Sequence, residues 1–449
     1  IMKLTTLFSI AALSLTASQH AFSQTVIRIV ASNGDRTATQ TAISNILAPG
    51  WTFQGINGNA TSANLSVATG ANFGAWSGSY AGNPVTIKVS YSGALAGIAA
   101  IAGNTDQRFV VSNGTGTGSV PNPLTGTTLG TDYETGKADF GFSTNFQSTS
   151  PFNGVYQTVT YNTVVEEVVG VSPLGFYASP GFPGSPSSTN PTFVPNITTQ
   201  LAQLLYTSGS VPLSLFTGDH SADAQKWVYA IGRNTDAGQR FGAYTEVGLG
   251  TSTAVRVYKP AFSTAQTTTS GITYGGVAGS HILWPAETVS DIFSPEGSGG
   301  FSSGALLAQH LTVTLGPDAY KGKYTEEGDD FFLHSNATAG YYIGYVTPGD
   351  ANNRILGQNG VIPAANRGVA LTYNGVALTD DNVRTGKYTA WLYNRILKPQ
   401  SGLTGLKLTF ANALRDRVKN FDAPSGGGLF DDAAFKVQRS TDGGLVTPK

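Results

Sequence analysis

The stretch WVYAIGRNTDAGQRFGAYTEVGLG occupies residues 227–250 and changes character twice. It begins with a short apolar run typical of a strand and ends, over residues 240–250, with the apolar spacing of a helix closed by glycines. The polar loop GRNTDAGQR, residues 232–240, joins the two. Because the first N–H groups of a helix have no partner in the helix and carry partial positive charge, this order predicts an α/β unit with an anion site at the turn.

Polar residues in this loop suit an anion. Arg233 and Arg240 could supply bidentate hydrogen-bond donors. Gly238 lets the backbone approach a ligand closely, and Asp236 is the candidate N-cap of the helix. Many strand-to-helix turns share this composition and bind nothing, so the loop alone leaves a binding site and an ordinary turn both open.

The same pattern of strand, loop and helix recurs along the chain. Residues 26–32 alternate like a strand, and residues 37–47 have helical spacing. Residues 85–92 give a second strand pattern, followed by a helix pattern of small residues. Further strand patterns and one helix pattern occupy residues 138–143, 164–171, 174–179 and 197–206. Strands that alternate with helices predict an α/β fold with parallel strand pairing.

The bulk composition narrows the class of protein. A chain of 449 residues is long enough for two or three domains, and its 12% of charged residues and 56 glycines are typical of an exported protein with many turns. The formal net charge of −1 provides no long-range attraction to nucleic acid or to an acidic membrane surface. We therefore expect no nucleic acid among the partners.

The first residues have the pattern of a secretory signal peptide, which we place at residues 1–23. Lys3 is the positive charge, residues 4–17 are apolar, and Ala21 and Ser23 form a small-x-small cleavage site. The chain has no cysteine, which excludes disulfides, thiolate metal sites and a lipid-accepting cysteine. Since the longest later apolar run, residues 94–102, is too short to cross a bilayer, we expect a periplasmic or secreted protein without direct membrane insertion.

One short motif is typical of a hydrolase. GFSSG, residues 300–304, matches the G-x-S-x-G nucleophile elbow with Ser302 at its centre, and His334 follows downstream. The elbow requires a strand directly before the serine, whereas EGSGG precedes Ser302. A helix N-terminus is therefore the favoured interpretation, and we expect no enzymatic activity.

The histidines do not indicate a metal centre. His220, His281, His310 and His334 lack metal-ligand spacing such as H-E-x-x-H. No G-x-x-x-x-G-K-[ST] motif for a nucleotide occurs either. We expect no metal and no cofactor.

Taken in order, the landmarks resemble the phosphate-binding (PstS-like) branch of the type II periplasmic substrate-binding proteins, the solute-binding components of ABC transporters. The resemblance lies in pattern and order, and it covers most of the chain after the signal. The matching stretches are IRIVASNGDRTATQTAI (27–43), YSGALAGIAAIAG (91–103), GKADFGFST (136–144), NITTQLAQLLYTSG (196–209), GRNTDAGQR (232–240), GGFSSG (299–304), YYIGYV (341–346) and TGKYTAWLYNRIL (385–397).

The resemblance implies a fold and a partner. Such proteins consist of two Rossmann-like α/β lobes joined by two crossing strands, and they close around the ligand by a hinge motion. It would place lobe one at residues 25–166 plus 339–449 and lobe two at residues 167–338. The implied partners are a small anionic ligand and the membrane component of an ABC transporter.

The resemblance also implies a set of ligand-binding residues. Matched position by position, these are Ser32, Asn33, Gly34, Arg36, Ser92, Gly93, Ser143, Thr144, Arg233, Gly238, Gln239 and Arg240, with Ala237 beside them. The chain departs from the family at Thr144, where the phosphate binders have a carboxylate, and at Ala237 and Gln239, where they have hydroxyl residues. Each charge-assisted bond lost from a buried anion costs roughly 1.5–3 kcal/mol, which is about tenfold or more in affinity. These departures disfavour orthophosphate itself.

Three function classes remain after this comparison. The leading hypothesis is an extracytoplasmic protein that captures a small anion, a phosphate-like oxyanion or a related solute, for transport. The second is an extracellular structural or adhesive protein that keeps the fold without capturing a solute, which the low charge and the altered loops favour. The third is a secreted hydrolase that uses Ser302.

Overall fold

A computed structural model describes residues 24–184, 193–250, 253–284, 299–326, 328–424 and 429–449. The predicted signal peptide lies outside these residues. Among the helices in these ranges, none combines the length and the apolar character needed to cross a membrane.

Lobe one is built on an eight-stranded mixed sheet. Its strands are Thr25–Val30, Thr52–Gly55, Gly58–Ala60, Phe73–Tyr80, Asn83–Ser90, Phe140–Ser143, Val164–Pro173 and Trp391–Pro399. The predicted first strand, residues 25–30, lies between residues 83–90 and 140–143 and runs parallel to both. The helices of this lobe are Arg36–Ile46, Leu65–Gly70, Ala94–Ala102 and Gly405–Arg417. Every residue of the helix of small residues is buried, which fits close packing against the sheet.

Lobe two is built on a six-stranded sheet. Its strands are Gly175–Ala178, Asn196–Ile197, Ser210–Pro212, Lys226–Ala230, Ala339–Val346 and Val369–Tyr373. Its helices are Thr199–Ser208, Ser214–Thr217, His220–Asp223, Gly238–Glu246, Gly304–His310, Pro317–Tyr320, Pro348–Arg354 and Asp380–Arg384. The two-lobed α/β fold expected from the sequence is thereby confirmed.

The chain passes between the lobes along two strands, residues 164–173 and 391–399, which pair antiparallel with each other. The predicted return to lobe one at residue 339 is wrong. Residues 339–346 form an inner strand of the lobe two sheet, paired with residues 175–178 on one side and 226–230 on the other. This strand is apolar because it is buried in lobe two, so lobe one resumes only at the second crossing strand.

A smaller sheet is formed by strands between residues 258 and 332. Its strands are Tyr258–Thr264, Val277–Leu283, Thr314–Leu315, Lys323–Glu326 and Asp329–Phe332. His281 is buried where this sheet meets lobe two, and its ring nitrogens lie 2.6 Å from the Ala319 carbonyl oxygen and 3.1 Å from the Tyr342 hydroxyl. This histidine is a satisfied structural residue.

Four short two-stranded ribbons lie outside these sheets in the described residues. They pair Asp106–Phe109 with Glu134–Lys137, Gly154–Tyr156 with Val159–Tyr161, Thr267–Thr269 with Ile272–Tyr274, and Val437–Gln438 with Thr447–Pro448.

The C-terminal segment, residues 431–449, contacts both lobes, and we call it the C-terminal clasp. In lobe one, Asp442 accepts a hydrogen bond from the Phe146 backbone N–H at 2.9 Å. In lobe two, Arg439 pairs with Glu246 at 2.9 Å, at the end of helix Gly238–Glu246. The clasp therefore ties a loop of lobe one to a helix of lobe two.

Candidate functional site

The first candidate loop follows strand Thr25–Val30. Ser32 caps its short turn, since its hydroxyl accepts a hydrogen bond from the Gly34 N–H at 3.0 Å. Arg36 then begins the helix, and its Nε donates to the Thr69 carbonyl oxygen at 3.0 Å. Another guanidinium nitrogen donates to Asn72 Oδ1. The last turn of helix Leu65–Gly70 and Asn72 just after it thus fix the Arg36 guanidinium beside this loop.

The loop between Lys226–Ala230 and the next helix holds a buried cation. Arg233 is 4% exposed, and its Nε donates to the Phe301 carbonyl oxygen at 2.9 Å. Its two terminal nitrogens donate to Gln239 Oε1 at 2.6 Å and to the Ser302 carbonyl oxygen at 3.1 Å. Burial lowers the pKa of Arg233 below its usual value. These neutral acceptors hold the guanidinium in place without neutralising its charge.

Two residues of this loop make contacts that the sequence did not predict. The Arg240 guanidinium donates to the carbonyl oxygens of Arg233 and Gly299, at 3.1 and 2.8 Å, so it fastens the loop to Gly299. Asp236 is not the N-cap, because the helix begins after Ala237 without a side-chain cap. The Asp236 carboxylate instead accepts a hydrogen bond from the Asn234 amide.

The lobes meet directly where the resemblance implied a ligand. A Cβ atom added to Gly238 would overlap Thr144 Oγ1 and lie 2.5 Å from Asn145 Oδ1. The Asn145 amide donates to the Gly238 carbonyl oxygen at 3.4 Å. In the second loop, a Cβ atom on Gly93 would lie 3.0 Å from Asp236 Oδ2. The second and third loops of lobe one therefore pack against the loop of lobe two, and we call this the interlobe contact.

A cavity of about 380 Å³ lies beside the interlobe contact. Five of the residues expected to bind the ligand line it, and they are Asn33, Gly34, Arg36, Arg233 and Gln239. Seven do not line it, and they are Ser32, Ser92, Gly93, Ser143, Thr144, Gly238 and Arg240. The cavity thus involves only part of the expected set of ligand-binding residues, and it lies to one side of that set.

The structure adds residues to this cavity that sequence reasoning missed. They include Asn57, Asn72, Ser172, Ser303, Gly304, Thr347 and Asp350. Asp350 belongs to the first turn of helix Pro348–Arg354, where an acidic residue after a proline is an ordinary helix-start signal. No local pattern distinguishes it from other helix starts, so only the folded arrangement assigns it to the site.

Among the described residues, His334 is not paired with Ser302. His334 lies elsewhere in lobe two, with its ring stacked on Trp227 at 3.2 Å between centroids and a ring nitrogen 2.9 Å from the Ser210 hydroxyl. Ser303 caps helix Gly304–His310 by accepting a hydrogen bond from the Leu306 N–H at 3.1 Å. The interpretation of GFSSG as a helix start is confirmed.

Two α/β lobes that are joined by two crossing strands and enclose a polar cavity define the class of fold. Comparison with solved structures finds an ABC-type phosphate transport receptor from Vibrio cholerae, with 11% identity, a TM-score of 0.38 and coverage of 89% of this chain and 98% of that chain. A putative phosphate ABC transporter substrate-binding protein from Clostridium perfringens has 10% identity, a TM-score of 0.37 and coverage of 90% and 99%. PstS from Borrelia burgdorferi has 10% identity, a TM-score of 0.35 and coverage of 91% and 99%. No family model and no curated protein matches the chain.

The interlobe contact leads to a first prediction. We expect Gly238→Ala to push the lobes apart and to lower the free energy of unfolding by about 1–3 kcal/mol, because the new methyl group has no room beside Thr144. Small-angle scattering should show a larger radius of gyration. Gly349→Ala is the matched control at the rim of the cavity, since a Cβ atom there meets nothing within 4 Å. Equal scattering and equal stability for the two variants would contradict a tight contact at Gly238.

Proposed function

We propose that this chain is an extracytoplasmic solute-binding protein that captures a small anion in the cavity between its lobes and delivers it to an ABC-type transporter. The observation that carries the proposal is the placement of two arginines from opposite lobes, Arg36 and Arg233, on the walls of one cavity. An anion between them would join the lobes, which is how ligand binding closes a hinged pair.

The chemistry of the cavity suits an oxyanion or a small carboxylate. The two guanidinium groups supply positive charge, and Asn33, Asn72 and Ser303 line the same space with polar side chains. Each charge-assisted bond to an anion here contributes roughly 1.5–3 kcal/mol. The predicted signal peptide supports a location outside the cytoplasm, and the landmark order shared with phosphate receptors supports the transporter as partner.

A ligand screen tests the proposal. We expect at least one of phosphate, phosphonate, sulfate, arsenate or a small organic acid to raise the melting temperature of protein stripped of co-purified ligand, because binding to the folded state alone stabilises it. A flat response to all of these anions would contradict the proposed function.

The role of Arg36 gives a second prediction. Arg36→Met should weaken binding of the best anion by about tenfold or more, since it removes one guanidinium from the cavity wall. Isothermal titration calorimetry on folded variants measures this loss. Arg256→Met removes an exposed arginine outside the cavity and should bind as the wild type does. Equal affinity of both variants would remove Arg36 from the site.

A structural or adhesive protein is the second candidate, and the interlobe contact favours it. Thr144 lies where the phosphate receptors have a carboxylate, and here it packs against Gly238. A protein that kept the fold without capturing a solute would retain such a closed contact. Self-association in solution together with retention at the cell surface, and no anion response, would favour this function over transport.

A further inference from the structure

The cavity between the lobes contains a carboxylate as well as arginines. Asp350 lines the cavity and is only partly exposed. Within the described residues, its side chain has one hydrogen bond, which it accepts from the Thr347 hydroxyl at 3.4 Å. Gly304 packs so closely that a Cβ atom there would overlap Asp350 Oδ2. Close packing therefore holds this carboxylate at the cavity wall.

The charged and titratable groups that face Asp350 come from four elements. Arg36 comes from the first helix of lobe one, Arg233 from the loop after strand Lys226–Ala230, and Arg354 from the helix of Asp350 itself. Tyr177 faces it from strand Gly175–Ala178. Across the part of the chain that the structure describes, none of the three arginines forms an ion pair with Asp350. Three cations thus act on one carboxylate, and two of them, Arg36 and Arg233, line the same cavity.

We propose that Asp350 is a built-in counter-ion of the cleft, which competes with an external anion for Arg36 and Arg233. The inference rests on the proposed function, since it concerns the ligand of the same cavity. An anion bound between the two arginines would lie close to the carboxylate, and like charges at that separation repel strongly where water is partly excluded. Such repulsion costs about tenfold or more in affinity.

A proton on Asp350 would remove the repulsion and would turn an acceptor into a hydrogen-bond donor. Burial is the largest influence on the pKa of Asp350 and raises it, although Arg233, Arg354 and Arg36 act in the opposite direction. The proton is therefore held at higher pH than on an exposed aspartate. Anion binding should accordingly strengthen as the pH falls.

Sulfate is the probe for the test, because its charge stays constant over the pH range used. Calorimetric titrations compare the wild type with Asp350→Asn at about pH 8 and about pH 5.5. At the higher pH we expect Asp350→Asn to bind sulfate about tenfold or more tightly than the wild type. On acidification, the wild type should gain more affinity than the variant. Asp35 and Asp236 also titrate near neutral pH, and both are present in the two proteins. The test therefore rests on the difference in sulfate affinity between the wild type and Asp350→Asn at each pH.

Controls separate this inference from the proposed function. Asp381→Asn, at an exposed position, should behave like the wild type. Equal sulfate affinity of the wild type and Asp350→Asn at both pH values would overturn the counter-ion while leaving the anion site intact. Absence of binding for every anion of the screen in the wild type, Asp350→Asn and Asp350→Ala would overturn both. If the asparagine variant does not fold, Asp350→Ala provides the same comparison.

Discussion

Replacing Arg439 by methionine is expected to lower the free energy of unfolding by about 3–5 kcal/mol, because the change leaves a buried carboxylate without its partner. The side chains of Arg439 and Glu246 are only 2% and 8% exposed, and the pair is 2.9 Å long. A second guanidinium nitrogen donates to the Thr389 carbonyl oxygen, and the guanidinium carbon lies 4.1 Å from the centre of the Trp391 ring. Chemical denaturation measures the loss.

A surface arginine provides the control for the clasp. Arg415→Met breaks half-exposed ion pairs with Glu167 and Asp416 and should cost no more than about 1 kcal/mol. Adding Glu246→Gln to Arg439→Met should restore part of the lost stability, since it removes the unpaired charge. Equal stability of Arg439→Met and Arg415→Met would show that the clasp does not stabilise the contact between the lobes.

Replacing Asp35 by asparagine is expected to stabilise the protein above neutral pH and to have little effect near pH 4. Asp35 is fully buried, its Oδ1 accepts a hydrogen bond from the Asn394 amide at 2.6 Å, and its Oδ2 has no partner among the described residues. Burial raises the pKa of Asp35 from 3.8 to about 7, against the lowering effect of the Asn394 bond. Over this range the folded protein keeps a proton that the unfolded chain releases.

The sign of the pH effect follows from that difference. Stability contributed by the protonated carboxyl is complete below pH 4 and is lost as the pH rises towards 7, at a total cost of roughly 4 kcal/mol. Asparagine cannot ionise, so the free energy of unfolding of the variant should increase relative to that of the wild type as the pH rises from 4 to 7. Comparing the two proteins cancels the titration of His281 and His310, whose pKa burial lowers to about 4. For the exposed control Asp381→Asn, we expect the difference in stability from the wild type to stay constant between pH 4 and 8. The same constant difference for Asp35→Asn would contradict the inference that Asp35 is a buried carboxyl that stays protonated in the folded state.

Much of the secondary structure could be predicted from local pattern. The strand at residues 25–30 and the helix at 199–208 lie within a few residues of their predicted positions. Apolar residues at every second position of a strand, or at every third or fourth position of a helix, indicate which side chains face the core. The small sheet around His281 could not be predicted in this way, because its two longest strands mix Ser, Thr, Gly and Pro with apolar residues and show no regular alternation.

The candidate site was predicted less completely than the fold. Arg36 and Arg233 were expected from their loops, and both line the cavity. Arg240 was expected for the same reason, yet its guanidinium binds carbonyl oxygens of lobe two. Sequence position specifies that an arginine stands near a loop, whereas the direction of its long side chain depends on which acceptors the fold brings within reach.

The sequence by itself determined the α/β order and the loops that follow the strands, since these depend on contacts between near neighbours along the chain. Only the tertiary structure decided where lobe one resumes. The apolar residues 339–346 would suit a buried strand of either lobe, and their pairing with residues 175–178 and 226–230 assigns them to lobe two. It also decided that Thr144 packs against Gly238 and that Asp350 joins the arginines of the cavity. These contacts join residues far apart in the chain, and no local periodicity encodes such distances.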